Sequence, residues 1–168
     1  GTSQGTSLLQ DIYPLLNGSN PTSFHAALGK TFFLANGTSS GWSLWVTDGT
    51  APATVRLADF PSQPYYISSD YPFVYHGIGA SGRLLFSIYR LFSGNREIWS
   101  TDGTPEGTTL LVSGFGYSTL NVLPEGAFFS RCDYATTGCE PWVTDGTAGG
   151  TQMLADIYPG IYSSGASD

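Results

Sequence analysis

Charged side chains are scarce in this chain of 168 residues, where they make up 11% of the composition. A globular domain usually carries about a quarter. Only Lys30 and five arginines oppose thirteen acidic residues, which leaves a net charge of −7. A chain with so few cations has no basic patch to neutralise phosphates. The composition therefore argues against binding to nucleic acid or to an anionic membrane surface.

Long apolar runs and helical periodicity are also missing from the sequence. No run approaches the roughly 20 apolar residues that span a bilayer, so we predict no transmembrane segment. No long stretch repeats its apolar positions with the helical period of about 3.6 residues. Aromatic and β-branched residues instead form short runs between clusters of Gly, Pro, Asn, Asp and Ser, which is typical of strands. The sequence therefore predicts an all-β protein.

Histidines and the motifs of known catalytic sites are scarce or missing. His25 and His76 are the only histidines, and both fall beside an aromatic residue in the second strand of their units. We favour a structural role for them over catalysis or metal binding. The sequence contains no Gly-x-Ser-x-Gly elbow, His-Glu-x-x-His helix or phosphate loop. We predict a non-enzymatic protein, with no catalytic residue and no cofactor.

Cysteine occurs only twice, as Cys132 and Cys139, on either side of a short variable loop. We predict a disulfide across that loop, with two free thiols as the alternative. A metal site would need further His or Cys ligands, and none lies nearby in sequence. A disulfide together with little lysine predicts an exported protein, located in the periplasm, on the cell surface or outside the cell.

What the chain does contain is a repeated sequence motif, Trp-x-Thr-Asp-Gly-Thr, which we call the phrase. It occurs at residues 45–50, 99–104 and 142–147, and the first six residues match its end in register. The spacing of roughly 43 to 54 residues is typical of a repeat array or a propeller. Each unit of such an array buries its apolar face only against its neighbours.

Each repeat holds about four short strands, the size of a propeller blade. Within a single domain over 1–168, we place units at about 1–47, 48–101, 102–144 and, in part, 145–168. The predicted fold is a tandem array of four-stranded antiparallel units that is β-propeller-like, with about three blades and a partial unit. Since closed propellers typically have four to eight blades, we expect a partial array, or one closed by oligomerisation or by a partner. The strand at 150–158 is predicted to lack a partner within the chain.

The repeated turns supply most of the candidate structural residues, which are Trp45, Trp99, Trp142, Asp48, Gly49, Asp102, Gly103, Asp145 and Gly146. Asp-Gly between two strands predicts a hairpin turn, because Gly accepts positive φ and Asp bonds to nearby backbone. We favour that capping role over calcium binding by Asp48, Asp102 and Asp145. The tryptophans are predicted to form core layers between blades. A second glycine, which is Gly5, Gly107 or Gly150, is expected to have positive φ; Ala53 stands at this position in the turn that begins at Asp48.

A further set of mostly aromatic residues is predicted to lie in loops. Its members are Trp42, Tyr65, Tyr66, Tyr89, Leu91 and Phe92. Such amphipathic side chains suit contact with proteins or with carbohydrates. The leading functional hypothesis is a non-enzymatic extracytoplasmic module for structure and protein interaction, which acts as a subunit or fragment of a larger assembly. The alternative is a carbohydrate-binding, lectin-like propeller that uses these aromatics.

The phrase also carries a family resemblance, which is clearest from Glu140-Pro141-Trp142 through Asp145-Gly146-Thr147 and on to residues 156–160. It resembles the bacterial repeat proteins named for Glu-Leu-Trp-x-x-Asp-Gly-Thr. The resemblance covers nearly the whole chain, although the Glu-Leu part is only loosely kept in the first two units. It implies an exported or surface-attached β-propeller-like protein, and it implies no catalytic activity.

Overall fold

The chain is built of strands. A computed structural model describes residues 2–14, 18–38, 41–61, 73–90, 95–117 and 120–162, with the backbone alone at 37–38, 61 and 115–117. Within these ranges there are twelve strands, and the helical structure is limited to the 3-10 turn η1 (Ser3–Gly5). No helix in the described ranges has the length and apolar character needed to cross a bilayer. The prediction of an all-β fold is confirmed.

The chain divides into two compact units, Gly1–Ile67 and Ser68–Asp168. The first unit holds sheet 1, which comprises β1 (Thr22–Ala27), β2 (Lys30–Thr38), β3 (Gly41–Thr47) and β4 (Val55–Pro61). These four strands are antiparallel and neighbour one another in sequence order. Leu28 and Gly29, both at positive φ, form the two-residue turn between β1 and β2. That combination matches the turn that suits the twist of a hairpin.

The second unit holds two more four-stranded antiparallel sheets. Sheet 2 comprises β5 (Phe73–Ile78), β6 (Leu84–Arg90), β7 (Asn95–Thr101) and β8 (Thr109–Tyr117). Sheet 3 comprises β9 (Asn121–Leu123), β10 (Gly126–Asp133), β11 (Gly138–Thr144) and β12 (Gln152–Met153). The two are joined into one hydrogen-bonded sheet, because the end of β8 pairs with β10 beyond the short β9. The prediction of tandem four-stranded antiparallel units is confirmed.

The strand that follows each Asp-Gly turn pairs with the tryptophan strand before it, so it closes a sheet. In sheet 3, Gln152 and Met153 lie opposite Val143 and Trp142. The prediction that residues 150–158 form a strand without a partner in the chain is therefore wrong. The error arose because the repeats were divided at the turn, whereas hydrogen bonding continues across it. The sheets begin and end one strand later than the units read from the sequence.

Aromatic side chains stack across each sheet from strand to strand. In sheet 1, Phe33 lies between Phe24 and Trp45, with ring centroids 5.5 and 6.5 Å apart. In sheet 2 the corresponding stack runs from Phe73 through Phe86 to Trp99, and in sheet 3 Phe129 lies 6.4 Å from Trp142. Cross-strand aromatic pairs of this kind stabilise a sheet beyond the area they bury. The repeated tryptophan is thus one end of an aromatic stack.

Sheets 2 and 3 share a core. Leu85, Ile98 and Val112 of sheet 2 form one buried cluster with Ala127 and Phe129 of sheet 3. The half-buried Trp142 packs against the same cluster. In this unit the tryptophan therefore lies where two sheets meet, as a repeat array requires.

Candidate functional site: repeat turns and sheet faces

The Asp-Gly turn is held by hydrogen bonds among its own residues. In the second turn, Gly103 N donates to Thr101 Oγ1, and Thr104 donates to Asp102 Oδ1 from both its N (2.9 Å) and its Oγ1 (2.7 Å). Thr108 Oγ1 donates to Thr104 O and lies 2.7 Å from Thr101 Oγ1. The turn spans the seven residues 102–108 between β7 and β8, and its polar groups satisfy one another.

The first and third turns repeat these bonds almost distance for distance. Thr50 donates to Asp48 Oδ1 at 2.9 and 2.7 Å, and Thr147 donates to Asp145 Oδ1 at 2.7 Å from both its atoms. The glycines that follow the aspartates have φ between 86° and 98°. A side chain is rarely tolerated in that region. The predicted hairpin turns at all three places are confirmed, although each is longer than a two-residue turn.

The threonine hydroxyls hold the pKa of Asp48, Asp102 and Asp145 below the usual value of an aspartate. The largest cause in each turn is the hydroxyl hydrogen bond to the charged carboxylate, and at Asp102 the nearby Arg83 adds to it. Each carboxylate therefore serves its own turn. Within the described ranges, no group of three or more His, Cys, Asp or Glu side chains is placed to hold a metal ion. Calcium binding by these aspartates remains the less favoured alternative to their capping role.

The second glycine of the phrase is required for space, and the prediction of positive φ at this position is wrong. Neither Gly107 nor Gly150 has positive φ. A Cβ at Gly107 would overlap the Asp102 carboxylate, and a Cβ at Gly150 would overlap that of Asp145. Sequence reasoning missed this because a glycine kept for close approach looks the same as one kept for its φ.

Residues 2–6 have the geometry of a repeat turn without its tryptophan strand. Gly5 N donates to Thr2 Oγ1 at 3.1 Å, and Thr6 Oγ1 donates to Thr2 O at 2.9 Å. Gly107 and Thr108 make the same two bonds to Thr104. Residues 7–11, which by register follow as the last strand of a sheet, form no strand here. Leu8, in this segment, is 80% exposed.

The two faces of sheet 1 differ in how far their side chains are exposed to solvent. On one face, Phe32, Leu44 and Val46 are almost completely buried. The other face carries the aromatic stack, where Ile12 packs against Phe33, Ala35 and Trp45. The outermost ring of that stack, Phe24, is 63% exposed. We call this the Phe24 face.

A hollow of about 510 Å³ lies at one end of the Phe24 face. Its lining includes Ala26, Lys30, Thr47, Asp48 and Gly49. A Cβ added at Gly49 would meet nothing within 4 Å. The first Asp-Gly turn therefore stands open to solvent.

In contrast to the first turn, the third turn is covered by other residues. A Cβ added at Gly146 would meet the side chains of Ser81, Arg83 and Leu85, which belong to the β5–β6 hairpin and the strand after it. Ser81 N also donates to Asp145 O at 3.1 Å. The space above the third turn is filled by the hairpin of sheet 2.

Sheet 3 has an exposed apolar face on the side away from sheet 2. Leu123 and Phe128 lie on it and are 42% and 36% exposed. By strand register Phe128 corresponds to Leu85, which is fully buried against sheet 3. We call this surface the Phe128 face.

The glutamate two residues before tryptophan has a structural role that sequence reasoning did not assign. Arg90 donates to both carboxylate oxygens of Glu97 at 3.0 Å, and Trp99 Nε1 donates to the same carboxylate at 2.9 Å. Glu140 is completely buried and accepts a hydrogen bond from Ile157 N at 2.9 Å. The repeated Glu-x-Trp spacing was the available signal, since it places both side chains on one face of a strand.

The histidines lie in separate sheets, His25 on β1 and His76 on β5. His76 Nε2 lies 2.8 Å from Ser87 Oγ. Burial lowers the pKa of His76, and the charge of Arg96 lowers it further. A neutral histidine bonded to a hydroxyl of the adjacent strand fits a structural role.

The residues predicted to be loop aromatics are placed differently where the structure describes them. Trp42 lies on β3 opposite Asn36, and Tyr89 lies on β6 beneath the guanidinium of Arg96. Both lie within strands, so their prediction as loop residues is wrong, and both are half-buried. The other four, Tyr65, Tyr66, Leu91 and Phe92, lie outside the described residues.

Cys132 and Cys139 are bonded to each other and lie opposite one another on β10 and β11. The predicted disulfide is confirmed.

The fold and these faces define an all-β protein of tandem four-stranded antiparallel sheets, consistent with part of a propeller-like array. Comparison of the chain with family models, curated proteins and solved structures gives no match. The resemblance to the Glu-Leu-Trp-x-x-Asp-Gly-Thr proteins therefore depends on the repeated motifs.

Proposed function

We propose that this chain is a non-enzymatic, exported module for structure and protein interaction, and that it works as part of a larger propeller-like assembly. The observation that carries the proposal is the exposure of large apolar side chains on one face of sheet 1 and on one face of sheet 3. On the Phe24 face Phe33 and Trp45 are buried but Phe24 is 63% exposed, and on the Phe128 face both Leu123 and Phe128 are exposed. Phe24 and Phe128 are exposed, whereas the residues that correspond to them in the contact between sheets 2 and 3 are packed. Large exposed apolar residues grouped on one face mark interaction sites.

The disulfide supports the proposed location. Disulfides such as the bond between Cys132 and Cys139 form and persist mainly in oxidising compartments. The small number of lysines supports the same proposal. Export places the module where a partner outside the cytoplasm would meet it.

The carbohydrate-binding alternative has less support than the interaction module. It depends on aromatic residues in loops, and the two that the structure describes, Trp42 and Tyr89, are half-buried within strands.

Native mass spectrometry of the protein purified from its natural source tests the proposal. We expect a defined complex, either of several copies or with another polypeptide. A monomer at physiological concentration would contradict it. A glycan array with the wild-type chain and Trp42→Ala, a variant away from both exposed faces, distinguishes the alternative. Binding of a sugar that this substitution abolishes would favour the lectin.

A further inference from the structure

The contact between sheets 2 and 3 shows how one repeat sheet packs on the next. The earlier sheet contributes its first hairpin and the apolar face around Leu85. The later sheet contributes its Asp-Gly turn and its aromatic stack, with Phe129 and Trp142. The hairpin covers the turn, and the two apolar faces meet beside it. This is a head-to-tail contact, since the two sheets use different surfaces.

Both halves of this contact recur in the chain, and each includes an exposed aromatic ring, Phe24 in sheet 1 and Phe128 in sheet 3. In sheet 1 the rest of the stack is already buried beneath Ile12. The Phe24 face of sheet 1 corresponds to the later sheet, because it carries the Phe33–Trp45 stack and the open turn at Gly49. The Phe128 face of sheet 3 corresponds to the earlier sheet, because Phe128 has the register of Leu85. The two surfaces are therefore complementary in kind.

The hollow beside Gly49 matches the hairpin that would fill it. The third turn shows that a hairpin occupies this space, since the side chains of Ser81 and Leu85 lie over Gly146. In sheet 3 the corresponding hairpin is the two-residue turn Pro124-Glu125, which is exposed. The lining of the hollow carries a cation, Lys30, and a carboxylate, Asp48. The fit of the hairpin therefore depends on its shape and on the apolar face beside it.

We propose that the Phe128 face of one copy of this chain docks on the Phe24 face of a second copy. The hairpin at Pro124-Glu125 fills the hollow beside Gly49. The inference rests on the proposed function and names its partner. Because the contact is head-to-tail, successive copies extend an array until it closes into a ring.

The docked contact differs from the one within the chain in one respect. Ser81 donates its N–H to Asp145 O, but the corresponding Pro124 has no N–H to give. The hairpin of sheet 3 is also shorter, with two residues where sheet 2 has residues 79–83 between its paired ends. The contact between copies is therefore weaker than the one between sheets 2 and 3, and we expect reversible association.

Amide exchange at residues 7–11 provides a second measurement of the proposed docking. These residues follow a repeat turn in register with β4, β8 and β12, yet they form no strand in the single chain. Ile12 holds this segment against the Phe24 face. In sheet 3 the position of such a strand is already filled by β12, so residues 7–11 do not complete that sheet. Because Ile12 lies on the face that a second copy would cover, we expect slower amide exchange at residues 7–11 in the assembled state than in the dilute monomer.

The decisive experiment uses two blocking variants of the whole chain, Phe24→Lys and Phe128→Lys. Analytical ultracentrifugation of the pure wild-type chain should show association that grows with concentration. Each variant alone should associate at least about tenfold more weakly, as a charge in the desolvated centre of an interface requires. Tyr134→Lys is the matched control, because Tyr134 is about as exposed as Phe24 but lies on the disulfide hairpin. It should behave as the wild type does.

Mixing the two variants keeps the test independent of folding defects. Phe24→Lys retains an intact Phe128 face, and Phe128→Lys retains an intact Phe24 face. A head-to-tail contact therefore predicts a heterodimer in the mixture that stops at two copies. A mixture that stays monomeric, or a single variant that associates like the wild type, would overturn the inference.

The result also separates this inference from the proposed function. If the pure chain is monomeric while the protein from its natural source is bound to a different polypeptide, the docking of two copies is contradicted. The proposed role as an interaction module is then still supported. Monomers in both experiments contradict both.

Discussion

At the scale of single residues, the turns depend on side-chain hydrogen bonds and on the absence of a Cβ atom at the second glycine. Thr104 fixes the Asp102 carboxylate from two atoms, and Gly107 leaves the space into which that carboxylate fits. Arg83 holds the same carboxylate from the neighbouring hairpin and donates to Gly107 O. The first turn carries Ala53 at the position of Gly107. There Asp48 is fully exposed, so its carboxylate has room to give way.

Gly107→Ala is expected to lower the free energy of unfolding by about 1–3 kcal/mol, the usual range for overpacking. The carboxylate of Asp102 would have to leave the threonine or the arginine that holds it. Gly149→Ala is the control, since a Cβ there would meet nothing within 4 Å. Urea unfolding of the two variants measures the difference. Equal stabilities would show that the turn has space to spare.

The turn aspartates also predict a pH dependence. Their pKa is lower in the folded chain than in the unfolded chain, so the stability they add is fully present above the unfolded value of about 3.9. It is lost as pH falls through the lower folded pKa. Asp102→Asn keeps an acceptor for Thr104 but cannot titrate. Urea unfolding at neutral and acid pH should show a smaller acid loss in this variant than in the wild type. An unchanged loss would assign the acid sensitivity to other groups.

At the scale of the element, the sequence predicted which segments form strands better than where those strands end. Short aromatic and β-branched runs bounded by turn residues located β2, β3, β6 and the Asp-Gly turns within the sheets. Trp42 and Tyr89 were predicted as loop residues because serine, glycine and arginine surround them. Their strands continue because partners are present: Trp42 lies opposite Phe60, and Arg90 lies opposite Asn95. A strand ends where its neighbour ends, and one strand's sequence does not contain that information.

The disulfide hairpin gives a prediction at this scale. The β10–β11 pair is held by seven cross-strand positions as well as by the bond between Cys132 and Cys139. Replacing both cysteines by serine should lower the free energy of unfolding by about 2–3 kcal/mol, because the bond closes only a short loop. Urea unfolding of the double variant, against the oxidised wild type, measures the loss. A chain that no longer folds would show that the bond, rather than the strand pairing, sustains sheet 3.

At the scale of the whole molecule, one repeat position has two environments. Leu85 is fully buried between sheets 2 and 3, whereas Phe128, its counterpart in sheet 3, is exposed. No single repeat sequence could have predicted this, because cover depends on whether another sheet follows. The exposed faces and the hollow beside Gly49 could not be predicted either, because the sequence indicates the turn but not the residues that surround it.

Leu85→Ala should therefore destabilise the dilute monomer by about 2–5 kcal/mol, as large-to-small changes in a core do. Phe128→Ala should change the stability of the same monomer by less than about 1.5 kcal/mol, since the ring is already partly exposed. Thermal or urea unfolding at low concentration measures both. Similar losses for the two variants would mean that Phe128 is packed in the isolated chain.

The turn at residues 2–6 has a consequence for the order of events during folding. It closes through bonds between residues three and four apart, although no tryptophan strand precedes it. Loops that short close in well under a microsecond, far faster than strands pair. Each Thr-Asp-Gly-Thr segment can thus adopt its turn conformation as soon as it leaves the ribosome. The sheets then assemble around corners that are already formed, which lowers the entropy lost in bringing distant strands together.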